Sequence, residues 1–252
     1  MAPAQSDAEA LAKKLSNPVA ALISVPFQFN RDENIGPLED GERTFLNFQP
    51  VVPITLNEDW NVISRTIVPI TFEQDEIFPG AGDQSGLGDI VQSFFFSPKE
   101  PTASGLIWGV GPVVLVPTAS DDLLGADQWA LGPTIVGLKQ AGKWTYGLLA
   151  NHLWGVHQKG QNDRSDVNAT FVQPFVSYTT PTAWTYALNT EATYDWNNTD
   201  WGVPVNAVVS KLLKVGRVPM SVGFGLRYWA EEAENGPEDL GLRLILTPLF
   251  PK

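Results

Sequence analysis

The sequence predicts an all-β chain: a single twelve-stranded antiparallel transmembrane β-barrel with a short N-terminal helix. Three observations carry this. From Ala20 onward, apolar and polar side chains alternate in segments of about 10 to 15 residues, the period of a strand. The connections between the segments alternate short and long. On the apolar face, aromatic side chains gather mainly at strand ends.

Composition narrows the alternatives. The chain has 252 residues, 43% apolar and 17% charged, with a formal net charge of −12. Nine Trp, 13 Phe and 5 Tyr with so little charge exclude disorder. The acidic balance makes nucleic acid a poor partner, because phosphate binding needs clustered Lys and Arg. The absence of cysteine removes disulfides, thiolate chemistry and thiolate-ligated metals. No apolar run reaches the roughly 18 residues of a membrane-spanning helix.

The elements follow in order. Residues 1–19 form the N-terminal unit and 20–252 the barrel. Met1 before Ala2-Pro3-Ala4-Gln5 reads as a start residue on a mature chain whose signal peptide was removed or replaced. Ser6 is placed to cap a helix starting at Asp7, with Glu9 at its third position, and Asn17-Pro18 ends it. Strand segments then read 20–30, 42–56, 60–73, 86–97, 105–117, 128–140, 143–157, 167–180, 183–197, 200–213, 217–230 and 239–250. Trp184 to Trp196 has the clearest alternation: Trp184, Tyr186, Leu188, Tyr194 and Trp196 oppose Thr185, Asn189, Glu191 and Asp195. Connections at 57–59, 141–142, 181–182 and 215–216 are short, and 98–104 is moderately longer. Those at 31–41, 74–85, 119–127, 158–166 and 231–238 are long and mostly acidic, with Asn198-Thr199 as a tight exception. Short periplasmic turns and long outer loops are the asymmetry of outer-membrane barrels, and an even strand count puts both termini on the short-turn side.

The aromatic girdles are expected at Trp60, Trp144 and Trp184 beside short turns. Phe72, Phe96, Trp154, Tyr194, Trp196, Trp201 and Tyr228 are assigned to the other end. The opposite face should line a pore through Arg43, Arg65, Asp89, Asn189, Glu191, Asn206, Arg227 and Arg243, together with Asn47, Gln49, Glu73, Asn151 and Gln173. Both charge signs occur, which fits cross-barrel ion pairs bracing the interior or opposed walls orienting a solute. Gly109, Gly111, Gly202, Gly223 and Gly225 face inward and should leave room. Ten prolines fall inside strands, among them Pro26, Pro50, Pro174 and Pro204, and predict bulges or breaks. The acidic connections, Asp32 and Glu33 among them, read as solvated loops; D-x-D calcium spacing is missing and no metal is expected.

Several stretches also resemble a known family: Ala12-Lys13-Lys14-Leu15-Ser16-Asn17-Pro18, Ser24-Val25-Pro26-Phe27-Gln28, Leu56-Asn57-Glu58-Asp59-Trp60-Asn61, Arg65-Thr66-Ile67-Val68-Pro69, Gly86-Leu87-Gly88-Asp89, Phe96-Ser97-Pro98 and Asn189-Thr190-Glu191. The chain is similar, over nearly its whole length, to a bacterial family of outer-membrane transporters named for phenol meta-pathway degradation. The resemblance implies a signal-bearing β-barrel of the bacterial outer membrane.

No enzyme is expected. His152 and His157 are the two histidines. His152 falls on the face opposite Asn151, beside Trp154, and no G-x-S-x-G, H-E-x-x-H, phosphate-binding loop or dinucleotide fingerprint occurs. No cofactor is expected. The function expected is passive diffusion of small solutes, with the helix as a candidate plug. The alternative is a non-conducting structural or surface-interaction barrel whose outer loops carry the function. Outer-membrane lipid and small solutes are the expected partners, and a homo-oligomer stays open.

Overall fold

The computed structural model describes residues 3–156 and 166–250, with side chains from Asp7 onward. Twelve strands close into one antiparallel barrel, behind helix α1 (Pro3–Leu15). In chain order they are β1 (Ile23–Ser24 and Phe27–Ile35), β2 (Gly41–Phe48 and Val51–Thr55), β3 (Trp60–Asp75) and β4 (Gln84–Leu87 and Ile90–Pro98). Then come β5 (Leu106–Val116), β6 (Ala130–Ala141), β7 (Trp144–Gly155) and β8 (Asn168–Thr179). Last are β9 (Trp184–Thr190 and Ala192–Asp195), β10 (Asp200–Val215), β11 (Val218–Glu231) and β12 (Glu238–Phe250). Each strand pairs with its chain neighbours, and β12 closes on β1 through Phe250 opposite Ile23 and Leu246 opposite Phe27.

Short turns fall at one end of the ring. Gly142 and Gly216 open the two tightest, with φ of 58° and 62°, a left-handed backbone that glycine adopts without a Cβ penalty. At the other end, β1 and β2 run on past the expected strand limits to Ile35 and Gly41. The expected connection at 158–166 and His157 lie, apart from Asp166, outside the described residues.

The outward face is apolar: Leu148, Tyr186, Leu188, Phe224, Leu226 and Leu244 are all exposed on it. In water such a surface would be a large unpartnered apolar patch. Aromatic pairs sit at both rims. Trp60 meets Trp108 edge-on at 5.8 Å, and Trp144 meets Tyr178 at 4.9 Å, beside short turns. Trp184, also at that rim, carries Lys211 Nζ 5.0 Å above its ring. At the far rim Tyr194 lies 4.9 Å from Trp196 and 4.8 Å from Trp201, with Trp154 and Tyr228 exposed on the same outward face. Phe96 is a correction: it pairs with Val62, two residues from Trp60, so it belongs to the short-turn end.

The prolines divide into two groups. Pro26 and Pro50 sit where β1 and β2 are interrupted, and a register shift falls at Val203/Pro204. Between the halves of β9, Glu191 N–H donates to the Pro204 carbonyl at 3.2 Å. The reciprocal bond cannot form, because proline has no N–H. By contrast, Pro53, Pro219 and Pro248 are carried in regular pairings opposite Ile63, Lys214 and Met220.

Helix α1 starts at Pro3, four residues before the expected Asp7 start. Proline suits a first helical turn, where its missing N–H would have had no partner anyway. The chain from the helix to β1 lies inside the ring. Ala12, Ala20 and Leu22 pack with Ala183, Leu212 and Leu249, on the side formed by β10 and β12. Val19 packs on the opposite side, with Ile63, Phe95, Val136, Leu138 and Leu149 from β3, β4, β6 and β7. The segment therefore spans the bore near the short turns. Gln140 fixes it by donating from Nε2 to the Lys13 carbonyl at 2.9 Å.

Candidate functional site

The interior face is built by the strand period. Gln28, Asn30 and Asp32 of β1 point inward at alternate positions, as do Arg227 of β11 and Arg243 of β12. Arg243 is 2% exposed, and its guanidinium meets Glu191 end-on: Nη1 donates to Oε1 at 2.9 Å and Nη2 to Oε2 at 2.8 Å. Its Nε donates to Asn30 Oδ1 at 2.8 Å. Two parallel charge-assisted bonds plus a third amide acceptor satisfy most of a guanidinium held away from water. Glu191 reaches across because it sits at the β9 interruption beside Pro204.

A second group adjoins it. Asp32 is fully buried, with Arg227 Nε 3.5 Å from Oδ1 and Arg43 Nη2 3.6 Å from Oδ2. The Arg227 guanidinium lies 5.0 Å from the Trp229 ring centroid, and that of Arg43 4.9 Å from Phe45. Asn206 is fully buried and donates to Asn189 Oδ1 at 3.0 Å. Arg65, further toward the short turns, donates to Gln49 Oε1 at 3.2 Å.

Arg43, Arg65, Asn189, Glu191, Asn206, Arg227 and Arg243 thus share one interior face. Asp89 stands apart. Its Oδ1 accepts from the N–H groups of Thr118 and Ala119, both at 3.0 Å, and its Oδ2 from Ala126 N–H at 2.6 Å. It anchors the connection between β5 and β6. In Asp89→Asn the amide nitrogen has to face one of these donors. We expect that connection, residues 119–127, to be cut by protease at least several-fold faster while the barrel stays folded, since the charged bonds lost are worth about 1.5–3 kcal/mol each. Unchanged cutting would show that the anchor is dispensable.

Some inward positions differ from expectation. Glu73 points outward, opposite Thr44, while Gln74 is buried opposite Arg43. A register shift between Thr71 and Gln74 inserts the extra residue that reverses the faces. Asp32 is an interior strand residue, not a solvated loop acid. The expected room at Gly109 and Gly111 is already occupied: a Cβ at Gly109 would lie 3.1 Å from Phe95 Cβ, and one at Gly111 1.9 Å from the Phe94 carbonyl oxygen. Gly202 is more open, with 3.7 Å to the Trp229 ring. The inward apolar wall around Ile63 and Phe95 was missed altogether. Its signal was available in the alternation of Val136 and Leu138 with outward residues.

His152 lies outward. Its Nδ1 is 2.7 Å from Thr170 Oγ1, which also accepts from Trp196 Nε1 at 2.8 Å. No cluster of three or more metal-ligating side chains occurs among the described residues.

A closed ring with an apolar exterior, aromatic rims and a polar interior defines the fold of outer-membrane β-barrels. Solved structures of that class match over most of this chain. An outer membrane channel from Pseudomonas putida F1 has a TM-score of 0.71 at 14% identity, covering 91% of this chain and 96% of its own. The NanC porin gives 0.52 at 12% identity, covering 90% and 98%. The outer membrane phospholipase OMPLA of Salmonella typhi, a dimer with bound calcium, gives 0.53 at 9% identity, covering 98% of each chain. At these identities the likeness establishes the fold, which channels and an enzyme share. No protein-family model and no curated protein matches the chain. The phenol meta-pathway name finds no support in these structures.

Proposed function

We propose that the chain is a channel of the bacterial outer membrane for passive diffusion of small solutes, its lumen lined by charges of both signs and gated by the N-terminal segment. The observation that carries this is the path of residues 12–22 across the bore, apolar contacts holding it at both walls. Among the described residues, one side-chain bond from Gln140 and the burial of Ala12, Val19, Ala20 and Leu22 retain the segment. The fold shared with the Pseudomonas putida F1 channel supports the reading. In this orientation both termini are periplasmic and lipid surrounds the apolar face.

Single-channel recording in planar bilayers tests this, comparing the full chain with one lacking residues 2–17. The expected result is small or infrequent steps from the full chain and steps at least several-fold larger from the shortened one. Equal conductance would remove the gate. Silence from both, with the folded ring established by heat-shifted gel mobility, would remove the channel. That outcome favours the second reading, a sealed structural barrel, to which the buried Glu191–Arg243 pair also lends support.

A further inference from the structure

We infer that the interior cavity beside the end of α1 is a binding site for small organic monoanions, a carboxylate carried on a short apolar body. The inference rests on the channel reading and names the solute class it would favour. The cavity has a volume of about 270 Å³ and lies between the segment ending α1 and the walls of β2, β3, β7, β8 and β9. Two cationic side chains, Lys14 and Arg65, line it, and no Asp or Glu does. The chain as a whole has 28 acidic against 16 basic residues, so an acid-free cationic cavity runs against its overall charge.

Arg65 is the anchor. Among the described residues its guanidinium makes one hydrogen bond, Nη2 to Gln49 Oε1 at 3.2 Å, and no ion pair. The interior carboxylate Glu191 attracts Arg65 only at longer range, because both its oxygens are engaged by Arg243. A guanidinium removed from bulk water with no carboxylate in contact is costly, and a carboxylate matches its fork with two parallel bonds. In the same lining, Leu149, Phe175 and Val51, the last paired across the ladder with Arg65, offer an apolar wall for the rest of the molecule. The volume sits just below the range of drug-sized pockets, which limits the body to a few carbons. A neighbouring cavity of about 260 Å³ shares Gln49 and Asn189 but is lined by no charged residue. It can pass an anion on without competing for it.

Equilibrium dialysis of radiolabelled hexanoate against the detergent-solubilised full chain tests the site, with hexanol and hexylamine as neutral and cationic molecules of the same body. Saturable hexanoate binding is expected, at least about tenfold tighter than either control. In Arg65→Gln it should weaken at least about tenfold, the size of a lost charge-assisted bond. In Lys14→Gln, an exposed position where folding is not at stake, it should weaken a few-fold. Equal binding of hexanoate and hexanol would overturn the proposal, as would wild-type hexanoate affinity in a folded Arg65→Gln chain. Should Arg65→Gln not fold, the three-ligand comparison on the unaltered chain and Lys14→Gln decide. Binding needs no current: a site that binds hexanoate in a silent barrel stands without the channel, and a conducting barrel blind to hexanoate keeps the channel and loses the site.

Discussion

Replacing Glu191 by Gln should cost the barrel about 3 kcal/mol, the lower end of what breaking a buried ion pair costs. The lower end is chosen because the Glu191 side chain is 21% exposed, whereas that of Arg243 is 2%. Glutamine keeps the shape but leaves the Arg243 guanidinium with Asn30 and no counter-charge. Its amide nitrogen also faces a donor where an acceptor stood. Chemical unfolding in detergent, followed by tryptophan fluorescence, measures the loss. Adding Arg243→Met to Glu191→Gln should recover most of it, because the second change removes the stranded charge. Additive losses would mean that the pair carries no coupling and that each side chain acts through other contacts.

Phe95→Ala should cost more, about 3–5 kcal/mol, the range for emptying an aromatic site in a packed core. Phe95 is fully buried, and the inward wall around it includes Ile63, Val136 and Leu149. Gly109, across the ladder, leaves the space its ring base occupies, so no neighbour expands easily into the void. Under the channel proposed above, the effect extends to transport, because Val19 of the crossing segment packs in the same cluster. A barrel that stays folded should therefore also show larger or more frequent conductance steps. A stability loss with unchanged steps would separate the wall from the gate.

How much of this was legible in the sequence depends on which spacing carries the information. Trp184 to Thr190 could be read because one face meets an apolar medium and the other does not, so period 2 survives unbroken. Arg227, Arg243 and Glu191 follow from the same rule. Glu73 escaped it because one inserted residue reverses every later face, and nothing in Thr71-Phe72-Glu73-Gln74 announces the bulge. Asp32 was hidden by composition: it stands among loop-like acids, although Gln28, Asn30 and Asp32 continue the inward alternation. The emptiness expected at Gly109 failed for another reason. Space beside a glycine depends on cross-strand register, and Phe95 is a neighbour only once β4 and β5 are paired. The crossing segment was expected as a helix only as far as Asn17-Pro18, and its seat is made of residues from distant strands, which local patterning cannot reveal.

That seat has a temporal consequence. Ala12 and Leu22 lie near the start of the chain, Leu249 near its end, and all three share one cluster with Leu212 and Ala183. The last strand must meet the first before the cluster exists. During biogenesis the N-terminal segment consequently has no complete dock until the ring has shut, and the docked segment marks the molecules whose assembly has finished.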